Sequence, residues 1–182
     1  MNQDAVDKIR SQWTVEKPEL PLDAMETLGR LKRCSALYQP LLDQTFAQFK
    51  LSSWEFDVLA TLRRSGAPFC LTPTELFSAL MVTSGTMTHR LKTLESKGWI
   101  KRISSDGDAR QKKVQLTDAG YDLIESALPA HVENMNKILD HLSKPKRQAL
   151  NAALKDMLAV FEALHPADTS LPPRLSDQTH GS

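Results

Sequence analysis

The chain has no long hydrophobic run. Its longest uninterrupted apolar stretch is five residues, Met157 to Phe161, against the roughly 20 that a membrane-crossing helix needs. No membrane partner is expected. The N-terminus is polar and mixed in charge, without the apolar core of an export signal, so secretion is not expected either. Cysteine is scarce: Cys34 and Cys70 lie far apart and in no CxxC pair, which excludes a disulfide framework and fits a reducing cytoplasm. Both read as small buried hydrophobes before they read as sensors. The five histidines, His89, His131, His141, His165 and His180, make no HExxH and no close cluster with carboxylates, and neither GxGxxG nor a P-loop occurs. The spacings that carry metal, nucleotide or hydrolytic chemistry are therefore missing. No enzyme activity, cofactor or metal is expected. Repeats and low-complexity tracts are absent too.

What is present is 182 residues, 41% apolar and 25% charged, enough for one ordinary domain with appended helices. The formal net charge of +1 hides an uneven distribution. Residues 1–29 hold six acids against three Lys/Arg, while residues 84–113 hold eight Lys/Arg against three acids. A cationic segment inside a near-neutral chain points to a localised anionic partner.

Hydrophobic spacing and punctuation organise the chain. Asp4 to Glu16 forms a short amphipathic helix carrying Val6, Ile9 and Trp13, broken by Pro18 and Pro21. A long helical pattern runs from Leu22 to about Phe49, with Pro40 inside it expected to kink or divide it. Ser52 to Glu55 reads as a capping box opening a helix that stops at Gly66. Thr72-Pro73-Thr74-Glu75 opens a short helix to about Met81, and Thr83 or Ser84 caps the next, which stops at Gly98. Trp99 to Ile103 and Lys112 to Leu116 alternate as strands around an Asp106-Gly107 turn. Thr117 caps a helix through about Leu142, with a bend at Pro129. Ser143-Lys144-Pro145 opens a last helix to about Leu164, and a disordered tail is expected beyond. The order defines a mainly α protein with a small β-hairpin wing, a winged helix-turn-helix with long helices at both ends. Its parts read as N-terminal helices over 1–50, the winged domain over 51–120, C-terminal helices over 121–164, and a tail over 165–182.

On a helix over 84–97, Met87, Leu91 and Leu94 share one face and must pack inward. The opposite face carries Gly85, His89, Lys92 and Ser96, short polar or cationic groups suited to base edges and phosphates. Candidate DNA contacts are Ser84, Thr86, Thr88, His89 and Lys92 on this helix, and Arg110, Lys112 and Lys113 on the hairpin. The partner implied is double-stranded operator DNA. Arg90 lies about 65° from the apolar face, at the border with the protein body. A guanidinium there turns toward an acid more readily than straight into a groove.

These residues resemble the MarR family of bacterial ligand-responsive regulators, over about Leu51 to Gly120. The resemblance is carried by LTPTEL at 71–76, SGTMTHRLKTLESKGWI at 84–100, Asp108-Ala109-Arg110 and QLTDAG at 115–120. It implies a homodimer whose terminal helices interlock. WTVEKPEL at 13–20 and EFDVLATLRRSG at 55–66 are similar to the urate-responsive, PecS-like branch. That likeness implies a small aromatic anionic effector, urate-like, held by Trp13, Asp57, Arg90 and Arg102. The residues alone leave other roles open. Trp13 also reads as an apolar anchor, Asp57 as a surface acid or a partner of Arg64, and Arg102 as a phosphate contact. The expected function is a DNA-binding transcriptional repressor released by that anion. The alternatives are an oxidant sensor using Cys34 or Cys70, and a winged-helix protein-interaction module.

Overall fold

A computed structural model describes residues 3–80, 84–105 and 108–164, without the side chains of 84–87, 105 and 108–111. The expected cap at Thr83, the turn at Asp106-Gly107 and the tail from His165 lie outside the described residues. The chain divides into two compact units, 1–44 and 45–182.

In the first unit, α1 (Ala5–Glu16) starts at Asp4, whose carboxylate accepts from the amides of Val6 and Asp7. It packs on the first part of α2 (Asp23–Gln48). Gly29 is the point of approach: a Cβ there would stand 3.2 Å from Val6 Cγ1. Around that point Arg30 pairs with Asp4 at 2.9 Å, Asp7 at 2.5 Å and Glu26. Arg10 pairs with Glu26 at 3.1 Å and Asp23 at 3.4 Å. The Arg30 hydrogen bond holds the Asp4 carboxyl down at about 2, from 3.8. A depressed carboxyl pKa contributes stability above the unfolded value and loses it as pH falls through the folded one. The melting temperature of Arg30→Gln should therefore lie below wild type at neutral pH, with the gap closing as pH falls from 3.8 through about 2. A gap indifferent to pH in circular dichroism melts would rule out this network as its source.

Helix α2 continues through Pro40 and is not divided there. The missing N–H frees only the carbonyl of Ala36, and both residues are exposed, so water can satisfy it. Helix α6 (Asp118–Leu139) likewise continues through Pro129.

In the second unit, α3 (Ser53–Arg64) supplies the core with Phe56, Val58, Leu59 and Leu62. Against it lie Leu76 of α4 (Pro73–Leu80), Leu91 and Leu94 of α5 (Ser84–Ser96), and Ile124 and Ala127 of α6, all buried. The Thr72 cap is complete: Glu75 accepts from the Thr72 amide and hydroxyl, and the Glu75 amide donates back to Thr72 Oγ1 at 3.2 Å. The sheet has three strands, not the expected two. Strand β1 (Cys70–Leu71) joins the hairpin of β2 (Ile100–Ser105) and β3 (Asp108–Leu116), in the antiparallel order β1-β3-β2. Arg63 braces the base of that hairpin. It donates to Glu125 at 2.7 Å and sits 5.0 Å from the ring centroids of both Phe69 and Tyr121.

The last helix, α7 (Lys144–Leu164), buries none of its residues. Leu150, Leu154 and Leu158 form an exposed stripe on it, as Leu128, Val132, Met135 and Leu139 do on α6. Among the described residues no helix is long and apolar enough to cross a membrane.

Candidate nucleic-acid interface and effector site

Helix α5 carries the candidate DNA-facing surface. Leu91 and Leu94 anchor α5 in the core with 2% and 0% exposure, which forces the opposite side outward. Thr88, His89 and Lys92 are exposed there. Thr93 donates its hydroxyl to the His89 carbonyl, and Ser96 donates to the Thr93 carbonyl, so these two hydroxyls are partly spent on the helix itself. On the wing Lys112 is exposed and Lys113 half-buried. The side chains of Met87, Ser84, Thr86 and Arg110 lie outside those described.

Helix α5 ends in a Schellman turn. Gly98 has φ +73, its amide donates to the Glu95 carbonyl, and the Trp99 amide donates to the Leu94 carbonyl. Glycine is favoured there because other residues meet a steric cost at positive φ. The same turn passes the chain into β2, so the helix and the wing share one rigid junction.

The four residues expected to hold an effector fall into three settings. Trp13 belongs to the first unit and is 44% exposed. Asp57 lines a hollow of about 270 Å³ with Ala60, Thr61, Arg64, Ala79 and Leu80. Although it keeps contact with solvent, crowding of its carboxyl pushes the pKa up, opposed by the positive charges of His131 and Arg90. Arg90 places its guanidinium 5.3 Å from the Trp54 ring centroid, a cation–π contact. Arg102 pairs instead with Glu95 at 3.3 Å. Asp57 and Arg90 are thus electrostatically linked, while Arg102 is engaged elsewhere. The alternative pairing of Asp57 with Arg64 is not formed through the Arg64 hydrogen bonds, which go to the Ala79 carbonyl at 2.9 Å and to Thr61 Oγ1 at 3.3 Å.

Sequence reasoning missed several participants. Trp54 receives Arg90, and His131 stacks near Phe46 and Phe56 with a buried Nδ1 that has no hydrogen-bond partner among the described groups. Burial pushes the His131 pKa down, while Asp57 pulls it up. Spacing gave no signal for either, because both contacts join distant elements. Of the two cysteines, Cys34 is exposed and Cys70 half-buried. Burial pushes the Cys70 thiol up, away from the thiolate a sensor needs. Among the described residues no group of three His, Cys, Asp or Glu could hold a metal ion.

A buried-face recognition helix, a cationic outer face and a sheet-based wing define a winged-helix DNA-binding protein. Residues 51–112 match the MarR family. Over 149 residues the chain is 43% identical to the HTH-type transcriptional regulator PecS of Dickeya dadantii (strain 3937), covering 82% of this chain and 90% of that one. The chain belongs to the MarR family, in its PecS-like branch. A mutant MarR from E. coli, solved in complex with operator DNA, superposes with a TM-score of 0.67 at 27% identity, covering 77% of this chain and 99% of that one. AbsC from Streptomyces coelicolor shares the fold, with a TM-score of 0.70 at 19% identity over 80% of this chain and 99% of its own. The protein is a DNA-binding transcriptional regulator, and its named relatives are regulators, not enzymes.

Proposed function

We propose that this regulator is a repressor that binds a pseudo-palindromic operator as a homodimer and is released by a planar aromatic anion such as urate. Residues 51–120 read DNA through Thr88, His89 and Lys92, joined by Ser84, Thr86, Arg110, Lys112 and Lys113. Residues 1–50 and 121–164 provide the assembly surface. The exposed apolar stripes of α6 and α7 support that role, since such stripes seek a partner. Two recognition helices related by a two-fold axis require half-sites about one helical turn apart.

The effector reading is carried by the electrostatic link between Asp57, beside its hollow, and Arg90 on the DNA-reading helix. An anion competes with Asp57 for Arg90 and with Glu95 for Arg102. Displacing Arg90 from Trp54 re-aims α5. A ligand shifts the equilibrium only through its differential affinity for the two states. Urate titrated into the protein–operator complex should release DNA from wild type. The midpoint should rise by about tenfold or more in Arg90→Ser or Asp57→Asn, a loss of about 1.4 kcal/mol of coupling. Unchanged release in both variants would eliminate this site, and release by no aromatic anion would eliminate the effector class.

A further inference from the structure

Within the cation cluster, Lys97 turns toward a buried carboxylate. Lys97 is the C-cap of α5, immediately before Gly98, and its Nζ lies 2.5 Å from Glu55 Oε1. Glu55 is 4% exposed. Its other oxygen accepts from the Ser52 amide and hydroxyl, both at 2.9 Å. The ammonium also sits 4.6 Å from the centroid of the Trp99 ring. Burial alone would raise the Glu55 pKa, but the Lys97 and Ser52 hydrogen bonds outweigh it and hold the carboxylate below its usual range.

Glu55 neighbours Trp54, the residue that receives Arg90. Arg90 and Lys97 are about two turns apart on α5 and share a side of the helix. The start of α3 therefore holds the recognition helix at two points. The arginine contact is a soft cation–π contact; the lysine contact is a charge-assisted hydrogen bond from a part-exposed ammonium to a buried carboxylate. Ion pairs, exposed or buried, add little to stability compared with apolar packing, and fixing one geometry is the better-attested use of those with a buried partner. Geometry matters here because α5 is about 20 Å long at 1.5 Å per residue. A tilt of about 5° at its C-terminal end moves the first turn by about 1.7 Å, enough to spoil hydrogen bonds to base edges.

We propose that Lys97 and Glu55 are positioning residues for operator binding, their ion pair fixing the far end of α5 as the pivot about which its DNA-reading end is aimed. Lys97 contributes through Glu55 and touches no phosphate.

The test measures operator affinity across a salt series for full-length wild type, Lys97→Met, Lys97→Arg and Glu55→Gln. The probe is a labelled duplex obtained by binding selection from random DNA, with each preparation corrected for its active fraction. Ile124→Val, which trims a fully buried side chain of α6, serves as a control for reduced stability. Lys97→Met should weaken binding on the order of tenfold with the slope of log K against log salt unchanged, and Lys97→Arg should restore most of it. Glu55→Gln should weaken it similarly, and the double variant should lose no more than either single one. The proposal is overturned by unchanged affinity in Lys97→Met, or by a slope reduced by about one, which would make Lys97 a phosphate contact. It is equally overturned by additive losses, or by an equal loss in a control of matched melting temperature. If Glu55→Gln does not fold, the lysine pair of variants and the salt slope still decide.

Discussion

Gly120→Ala should destabilise the protein, although alanine is the better helix former. Gly120 occupies the third position of α6, where its amide donates to Thr117 Oγ1 at 3.1 Å. In an unobstructed helix the substitution would gain about 1 kcal/mol. Here a Cβ would stand 2.0 Å from the Trp99 carbonyl oxygen and 2.9 Å from its carbon. That carbonyl cannot retreat freely, because it accepts the Thr117 amide at 3.1 Å, while Thr117 Oγ1 donates to the Gly98 carbonyl at 2.6 Å. The obstruction is backbone, not the flexible end of a side chain. Overpacking costs about 1–3 kcal/mol where side chains can yield, so a net loss of about 3 kcal/mol is expected. For a domain of this size that lowers the melting temperature by about 6–12 °C. Because the obstructed junction joins α5 to the wing, operator affinity should fall with it. A melting temperature equal to or above wild type would show that propensity prevails and that the junction yields.

His89→Ala combined with Lys92→Ala should weaken operator binding roughly a hundredfold, since a base-reading or charge-assisted interaction contributes about 1–3 kcal/mol. Both residues are exposed on α5 while Leu91 and Leu94 hold the opposite face in the core, so truncation should leave the fold intact. The two contributions separate by measurement. Lys92→Ala should weaken all DNA alike and lower the salt slope by about one. His89→Ala should reduce the preference for operator over random duplex. Anisotropy titrations on both duplexes at several salt concentrations check this. If neither affinity nor preference changes, α5 is not the element that reads the groove.

Much of the fold was legible because it is written in local signals. Caps at Ser52, Thr72 and Thr117, glycine stops at Gly66 and Gly98, and the 3.6-residue spacing of Leu91 and Leu94 act within a few residues of themselves. Strand β1 was not legible: two residues carry no periodicity, and Cys70–Leu71 is a strand only because Gln115 and Val114 lie opposite. That Pro40 would leave α2 undivided was not legible, because its cost depends on whether the freed carbonyl meets water, a matter of burial and not of sequence. At the site, the outward position of His89 and Lys92 followed from the helical wheel. The partners of the inward cations did not, since Lys97 meets Glu55 across 42 residues. QLTDAG could be recognised as a motif, but only the close approach of the Trp99 carbonyl explains why it ends in glycine.

A helix of 21 residues that buries none of them in its own chain has a consequence for gene control. In the proposed dimer its order is supplied by a second copy, so folding of this segment obeys mass action. Where most chains are still single, doubling their number raises the competent form about fourfold. Operator occupancy then answers to the rate at which the gene is expressed, and not only to effector. A regulator built this way reports its own dosage.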